Sequence, residues 1–137
     1  MGNIITVEAI INAPLEKVWE FWTKPEHITK WCFASDDWHA PSSSSDLKVS
    51  GKLSTRMEAK DGSFGFDFWG IYNEIKPNEK LAITMGDGRK WDTYFTVVDG
   101  GVKVIEEFEA ESENPIEMQQ TGWQMILNNF KKHVESL

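Results

Sequence analysis

"NPIEMQQTGWQMILNNFKKHVESL", residues 114–137, decides the fold. Ile116, Gln120, Trp123, Leu127, Phe130 and Val134 recur at helical spacing and form one stripe, flanked by Ile126 and Leu137. Asn114 is the expected cap and Pro115 the expected first helical residue. A helix of about twenty-two residues is roughly 33 Å long, enough to cross a whole small sheet. Gln119 and Gln120 turn toward the Trp123 face near the helix start. An apolar core seldom accepts two amides without partners, so a solvated helix end is expected there, with a ligand or water as the alternative.

Everything from residue 47 to 109 reads as consecutive strands. Asp61-Gly62, Pro77-Asn78-Glu79, Asp87-Gly88 and Gly100-Gly101 separate "KLSTRMEA", "FGFDFWGIYNEI", "KLAITM", "KWDTYFTVV" and "VKVIEEFEA". Asp-Gly and Gly-Gly suit tight primed turns, and connections this short imply an antiparallel meander. Gly70, inside the longest strand, is read as a bulge or bend. A bent antiparallel sheet has one concave face, and only the C-terminal helix carries enough apolar stripe to cover it.

The N-terminal part supplies a strand and then a helix pair. Ile5, Val7 and Ala9 alternate through "NIITVEAIIN" (3–12). Pro14, with Asn12 or Ala13 as cap, opens a helix bearing Leu15, Val18, Trp19 and Trp22 on one face. Pro25 ends it and opens a second helix with Ile28 and Trp31. Residues 33–46, "FASDDWHAPSSSSD", show no apolar periodicity and are expected to be a mobile loop, with a possible role as a lid. The fold class expected is α+β: a curved antiparallel sheet wrapped around a long C-terminal helix, with two short helices after the first strand. One domain, 1–137, is expected, with no repeats.

Bulk composition narrows the function. A formal net charge of −8 with no Lys/Arg cluster argues against nucleic-acid binding. No run of eighteen apolar residues exists, so no membrane span is expected. The opening residues lack the features of a signal peptide, and the Met1-Gly2 lipidation pattern is discounted because a strand follows. The lone Cys32 forms no internal disulfide and fits a cytoplasmic setting. Seven Trp, eight Phe and two Tyr are many rings for 137 residues, enough both to fill a core and to wall a cavity.

"NAPLEKVWEFWTKPEHITKW" (12–31), "GIYNEIKPNEKLAIT" (70–84) and "GWQMILNNFKKHVE" (122–135) together resemble domains similar to the activator of heat-shock protein 90 ATPase, within the START and polyketide-cyclase (SRPBCC) superfamily. The features that carry the resemblance are Ala13-Pro14, Val18-Trp19, Pro25-Glu26-His27, Trp31, Gly122-Trp123 and Leu127, together with the glycine, tyrosine, glutamate, proline and leucine pattern of the central hairpin. The resemblance implies a helix-grip fold with an internal cavity. Relatives in that superfamily include lipid or hormone carriers, aromatase/cyclases and co-chaperone domains, and no invariant catalytic constellation transfers. The eukaryotic co-chaperone carries a further N-terminal domain that these residues do not contain, so chaperone contact is not the leading expectation.

The leading expectation is an apolar or aromatic small molecule bound in the cavity, without a cofactor or metal. Trp31, Trp38, Phe66, Phe68, Tyr72, Trp91, Gln120, Trp123 and Leu127 are the expected lining residues, and no catalytic residue is assigned. The alternatives are a cyclase or hydrolase using an inward Glu or Tyr, and a chaperone-associated interaction module. For the enzyme, Glu74 beside Tyr72 is the sharper candidate, with Arg56 or Arg89 as partners. One parity of the run Glu106, Glu107, Glu109, Glu111, Glu113 is the second. Asp36, Asp37 and His39 are read as solvated loop residues rather than metal ligands. Cys32 is read as a buried, inert thiol that lies near the cavity mouth. His27 is read as structural and His133 as solvated. Edge strands leave the chain a monomer or a homodimer.

Overall fold

The computed structural model describes residues 3–136; Met1-Gly2 and Leu137, which entered the sequence reading, lie outside the described residues. In chain order the elements are β1 (Ile4–Ile11), α1 (Leu15–Thr23), α2 (Pro25–Trp31), β2 (Trp38–Ser45), β3 (Lys52–Ala59), β4 (Gly65–Lys76), β5 (Lys80–Met85), β6 (Lys90–Val98), β7 (Gly101–Glu109) and α3 (Ile116–Glu135). The strands form one antiparallel sheet in the order β1-β7-β6-β5-β4-β3-β2, curled around α3, which is the helix-grip arrangement expected.

Strand alternation selects the inner face. Ile5, Val7 and Ile11 of β1 are buried, as are Val102, Val104, Glu106 and Phe108 of β7 and Trp91, Thr93 and Phe95 of β6. Leu81, Ile83 and Met85 of β5 and Leu53, Thr55 and Met57 of β3 continue that face. Leu127, Phe130 and Val134 of α3 are fully covered against it. The stripe read from 3.6-residue spacing therefore meets the faces read from period-2 spacing.

Two aromatic clusters fix α3 along its length. Near its start, Trp123 stacks on Phe108 with centroids 3.8 Å apart. Toward its end, Phe130 meets Trp22 and Trp31 edge-on at 4.8 Å and 4.9 Å, and those two indoles stack on each other at 4.9 Å. The helix also closes the sheet edge. The Nε2 atoms of Gln120 and Gln124 donate to the carbonyls of Thr6 and Glu8 at 3.2 Å and 3.1 Å, and Lys131 Nζ donates to Ile10 O at 2.6 Å. Those carbonyls alternate along β1 and would otherwise be open to another strand.

Four local readings are corrected. Residues 38–45 are the edge strand β2 rather than part of a loop, and this removes the proposed lid at its centre. Serine runs lack an apolar signal, but backbone pairing needs none. Ser43 Oγ lies 3.0 Å from Thr55 Oγ1 and Ser45 Oγ 2.9 Å from Tyr72 OH, so their hydroxyls are used inside the sheet. The bulge in β4 falls between Tyr72 and Glu74 rather than at Gly70. α3 begins at Ile116 with Pro115 in the cap position, and α1 begins at Leu15 behind Pro14. Asn114 instead binds Glu111, through its backbone N at 2.6 Å and its Nδ2 at 2.9 Å. The first position of β7 also needs its glycine: Gly101 has φ +142, and a Cβ there would stand 1.9 Å from Ile11 O.

Candidate functional site

Between the two aromatic clusters the inner face is not filled. A cavity of about 280 Å³ remains beneath α3. Trp22 of α1, Trp31 and Cys32 at the end of α2, and Met57 of β3 line it. Phe66 and Phe68 of β4, Trp91 of β6, Glu106 of β7, and Trp123 and Ile126 of α3 complete most of the wall, with Arg89 and Glu111 beside them. Phe68, Trp91 and Trp123 touch one another, with centroids 5.4 Å to 5.9 Å apart.

Sequence reasoning placed Trp31, Phe66, Phe68, Trp91 and Trp123 in such a wall, and the structure brings those five together. It does not bring the other four to it. Leu127 packs under α3 with no exposure, inside the core. Tyr72 is buried deeper in the sheet and spends its hydroxyl on Ser45. Gln120 is exposed and bonded to β1, because one step along a helix turns a side chain by about 100°. Trp38 lies on edge strand β2, where it meets Phe64 and Phe66 at 6.0 Å and 6.1 Å. Gln119 is the buried amide. Its Nε2 donates to Asn114 O at 2.8 Å and its Oε1 accepts from Glu111 N at 2.9 Å, so backbone rather than ligand or water satisfies it.

Glu106 is the residue that sequence reasoning left inside a run. It is 3 % exposed and projects from β7 on the parity of Val102, Val104 and Phe108. Trp91 Nε1 donates to its Oε1 at 3.1 Å. Burial pushes its carboxyl up to about 8, against the smaller opposing effect of the indole hydrogen bond. Cys32 shares the wall, and burial, with Glu106 nearby, pushes its thiol up to about 12. A thiol so placed is a weak nucleophile at neutral pH.

The other polar groups of the wall are engaged elsewhere. Arg89 Nε donates to Asp87 Oδ2 at 2.7 Å, and its Nη1 to Glu109 O at 3.0 Å. Glu111 accepts from the backbone of Glu113 and Asn114 and from the Asn114 side chain, which holds its carboxyl below the usual range.

Glu74 does not face the cavity. The extra residue of the bulge reverses the parity of β4, so Glu74 pairs with Ala82 on the outer face and Ile75 turns inward with Leu81. Its partners are Lys80 at 3.0 Å and Lys76 at 3.5 Å, not an arginine. Arg56 is paired with Glu58 and Asp67. His39 lies 3.8 Å from Glu58. His133 is half-buried, 3.4 Å from the His27 ring nitrogen, rather than solvated. Burial first, and His27 second, lowers its pKa. Among the described residues, no three His, Cys, Asp or Glu side chains gather as a metal site requires.

Comparison with known proteins agrees with this architecture. The family described as Activator of Hsp90 ATPase homolog 1-like protein matches residues 12–135. The solution structure of an AHSA1-like protein from Aeromonas hydrophila is 43% identical and superposes with TM-score 0.92, covering 98% of this chain and 93% of that one. A protein from Cytophaga hutchinsonii is 49% identical, with TM-score 0.85 and coverage of 98% and 94%. A Nitrosomonas europaea protein at 16% identity and TM-score 0.82, with coverage of 97% and 94%, shares the fold alone. No curated protein matches at a significant level.

Proposed function

The chain belongs to the Activator of Hsp90 ATPase homolog 1-like family, and from that premise we propose that it binds a small, largely apolar and aromatic molecule beneath α3. The observation that carries this reading is the unfilled space of about 280 Å³ between two aromatic clusters. Packed interiors leave few voids larger than a water molecule. Ligand sites run from about 300 to 1,000 Å³, so this one suits a compact guest rather than a long lipid. Trp22, Trp31, Phe68, Trp91 and Trp123 offer ring faces and edges to a planar body. Cytoplasmic residence belongs to the same reading and is supported by the lone buried thiol, which needs no oxidising compartment. Among the described residues no helix is long and apolar enough to cross a membrane.

A second reading, acid–base catalysis at Glu106, is favoured by one observation: a buried carboxyl poised near 8 in the pocket wall. Binding leads because the reactive group beside it, the Cys32 thiol, is held in its neutral, weakly nucleophilic form. Tyr72 and Glu74, the other candidates, lie elsewhere.

The test is native mass spectrometry of the gently purified protein, followed by calorimetric titration with 2-ethylnaphthalene. A co-purifying small molecule, or binding at micromolar levels that Ile126→Phe weakens at least about tenfold by filling the space, supports the reading. A protein that carries nothing and binds no probe contradicts it.

A further inference from the structure

The wall of the cavity is mostly apolar, and of its polar side chains Arg89 and Glu111 are engaged with other residues, which leaves Glu106. Glu106 is buried, one of its oxygens is occupied by the Trp91 indole, and Oε2 has no hydrogen-bond partner among the described residues. Among the described residues no fully shielded side-chain oxygen lacks a partner, so Oε2 keeps some exposure, and the space that Glu106 borders is the cavity. Among the described residues no cation pairs with Glu106, and Arg89, which lines the same cavity, is engaged with Asp87 and the Glu109 carbonyl. A buried carboxyl without a cation takes up a proton rather than remain charged. With Oε1 accepting from Trp91, the proton belongs on Oε2.

Accepting the binding reading above, we propose that Glu106 serves as a hydrogen-bond donor inside the cavity and selects an uncharged aromatic ligand bearing a carbonyl or similar acceptor oxygen. A neutral acid held in an apolar site donates a strong hydrogen bond that bulk water cannot weaken. A carboxylate-bearing ligand is disfavoured, since Arg89, the cation of the wall, is already engaged with Asp87 and the Glu109 carbonyl. An amine is disfavoured because pairing requires Glu106 first to lose its proton. The raised pKa of Glu106, about 8, agrees with the neutral form at pH 7. The groups that act on or with Glu106 from neighbouring elements are the Cys32 thiol after α2 and the Trp91 N–H on β6; Arg89 and Glu111 line the same cavity, and among the described residues α3 adds the uncharged Trp123 and Ile126. Cys32 stays neutral through the range in which Glu106 titrates.

Four probes of similar shape separate the possibilities by calorimetry on the whole protein: 2-acetylnaphthalene, 2-ethylnaphthalene, 2-naphthoate and 2-naphthylmethylamine. At about pH 6 the ketone binds about tenfold more tightly than the hydrocarbon. The naphthoate and the amine bind more weakly than either. At about pH 9 the ketone's advantage shrinks as Glu106 ionises. Glu106→Gln keeps the advantage at both pH values, because its amide accepts from Trp91 and still donates to the ligand. Glu106→Leu binds the hydrocarbon at least as well as wild type and loses the preference for the ketone. Equal binding of ketone and hydrocarbon, or tighter binding of the naphthoate or the amine, overturns this inference and leaves the cavity reading intact. Failure of all four probes to bind overturns this inference, and in a protein that carries no co-purifying molecule it overturns the cavity reading as well.

Discussion

Trp91 and Glu106 stand diagonally across β6 and β7 on the inner face, joined by an indole N–H that reaches the carboxyl at 3.1 Å. Register pairs Trp91 with Phe108 and Thr93 with Glu106, with the outward pair Asp92 and Glu107 between them, so the bond joins successive inward-facing pairs of one ladder. It gives a buried acid a single donor, which is too little to keep it ionised.

This placement makes stability depend on pH. The Glu106 carboxyl moves from an ordinary 4.5 up to about 8 in the folded state. Between those values the native protein holds a proton that the unfolded chain has released. The stability tied to this group is therefore complete below about pH 4.5, falls as pH rises, and is lost by about pH 8. Glu106→Gln should remove that slope and exceed the wild type above about pH 8 by roughly 3–5 kcal/mol. Urea unfolding across the range measures it; parallel pH profiles for the two proteins would count against the buried acid.

Trp91→Phe keeps an aromatic ring but deletes the indole donor. Since that hydrogen bond lowers the Glu106 pKa, the variant should titrate at a higher pH than the wild type. Carbon-13 NMR of the side-chain carboxyl reads the midpoint directly. A midpoint unchanged or lowered would mean that the indole bond does not hold Glu106 in solution.

Cys32 should resist alkylation in the native protein. Burial is the larger cause of its raised pKa and Glu106 the smaller. Iodoacetamide at about pH 8 should react at least a hundredfold more slowly than in urea, since the thiolate is the reacting form. Glu106→Gln should leave Cys32 nearly as slow. Rapid native labelling would show that the wall opens far more than its packing suggests.

Much of the architecture was legible because alternation is regular wherever a strand is regular. The same rule hid the polar residue that matters most. Val102, Val104, Glu106 and Phe108 share a parity, so the inward carboxyl was visible in principle. It was masked by Glu107, Glu109 and Glu111, which made it look like part of a solvated run. Glu74 failed in the opposite way. Period-2 counting places it on the Tyr72 face, and only the bulge, which has no glycine or proline to mark it, turns it outward. β2 was missed because serine hydroxyls pairing with Thr55 and Tyr72 leave no hydrophobic signature. Which apolar side chains fill the core and which border empty space, as with Leu127 against Ile126, depends on tertiary spacing that no local pattern encodes.

Gly70 and Gly122 provide an internal contrast in what a methyl group costs. Gly70 lies in β4 between Leu53 of β3 and Met85 of β5, and it is buried. A Cβ there would stand 2.5 Å from Ile83 Cγ2, 2.9 Å from Thr84 O and 3.3 Å from Met85 Cα. Two of those three neighbours are backbone in a paired strand and cannot move aside without breaking the ladder. Gly70→Ala should therefore destabilise by about 1–3 kcal/mol, the usual cost of overpacking. Gly122 lies inside α3, and a Cβ there meets nothing within 4 Å. Gly122→Ala should stabilise by about 0.5–1 kcal/mol through helix propensity alone. Urea midpoints for the two variants should move in opposite directions from the wild type. A Gly70→Ala protein as stable as the wild type would show that β4 and β5 can part at this point, and the close approach there would not be what requires a glycine.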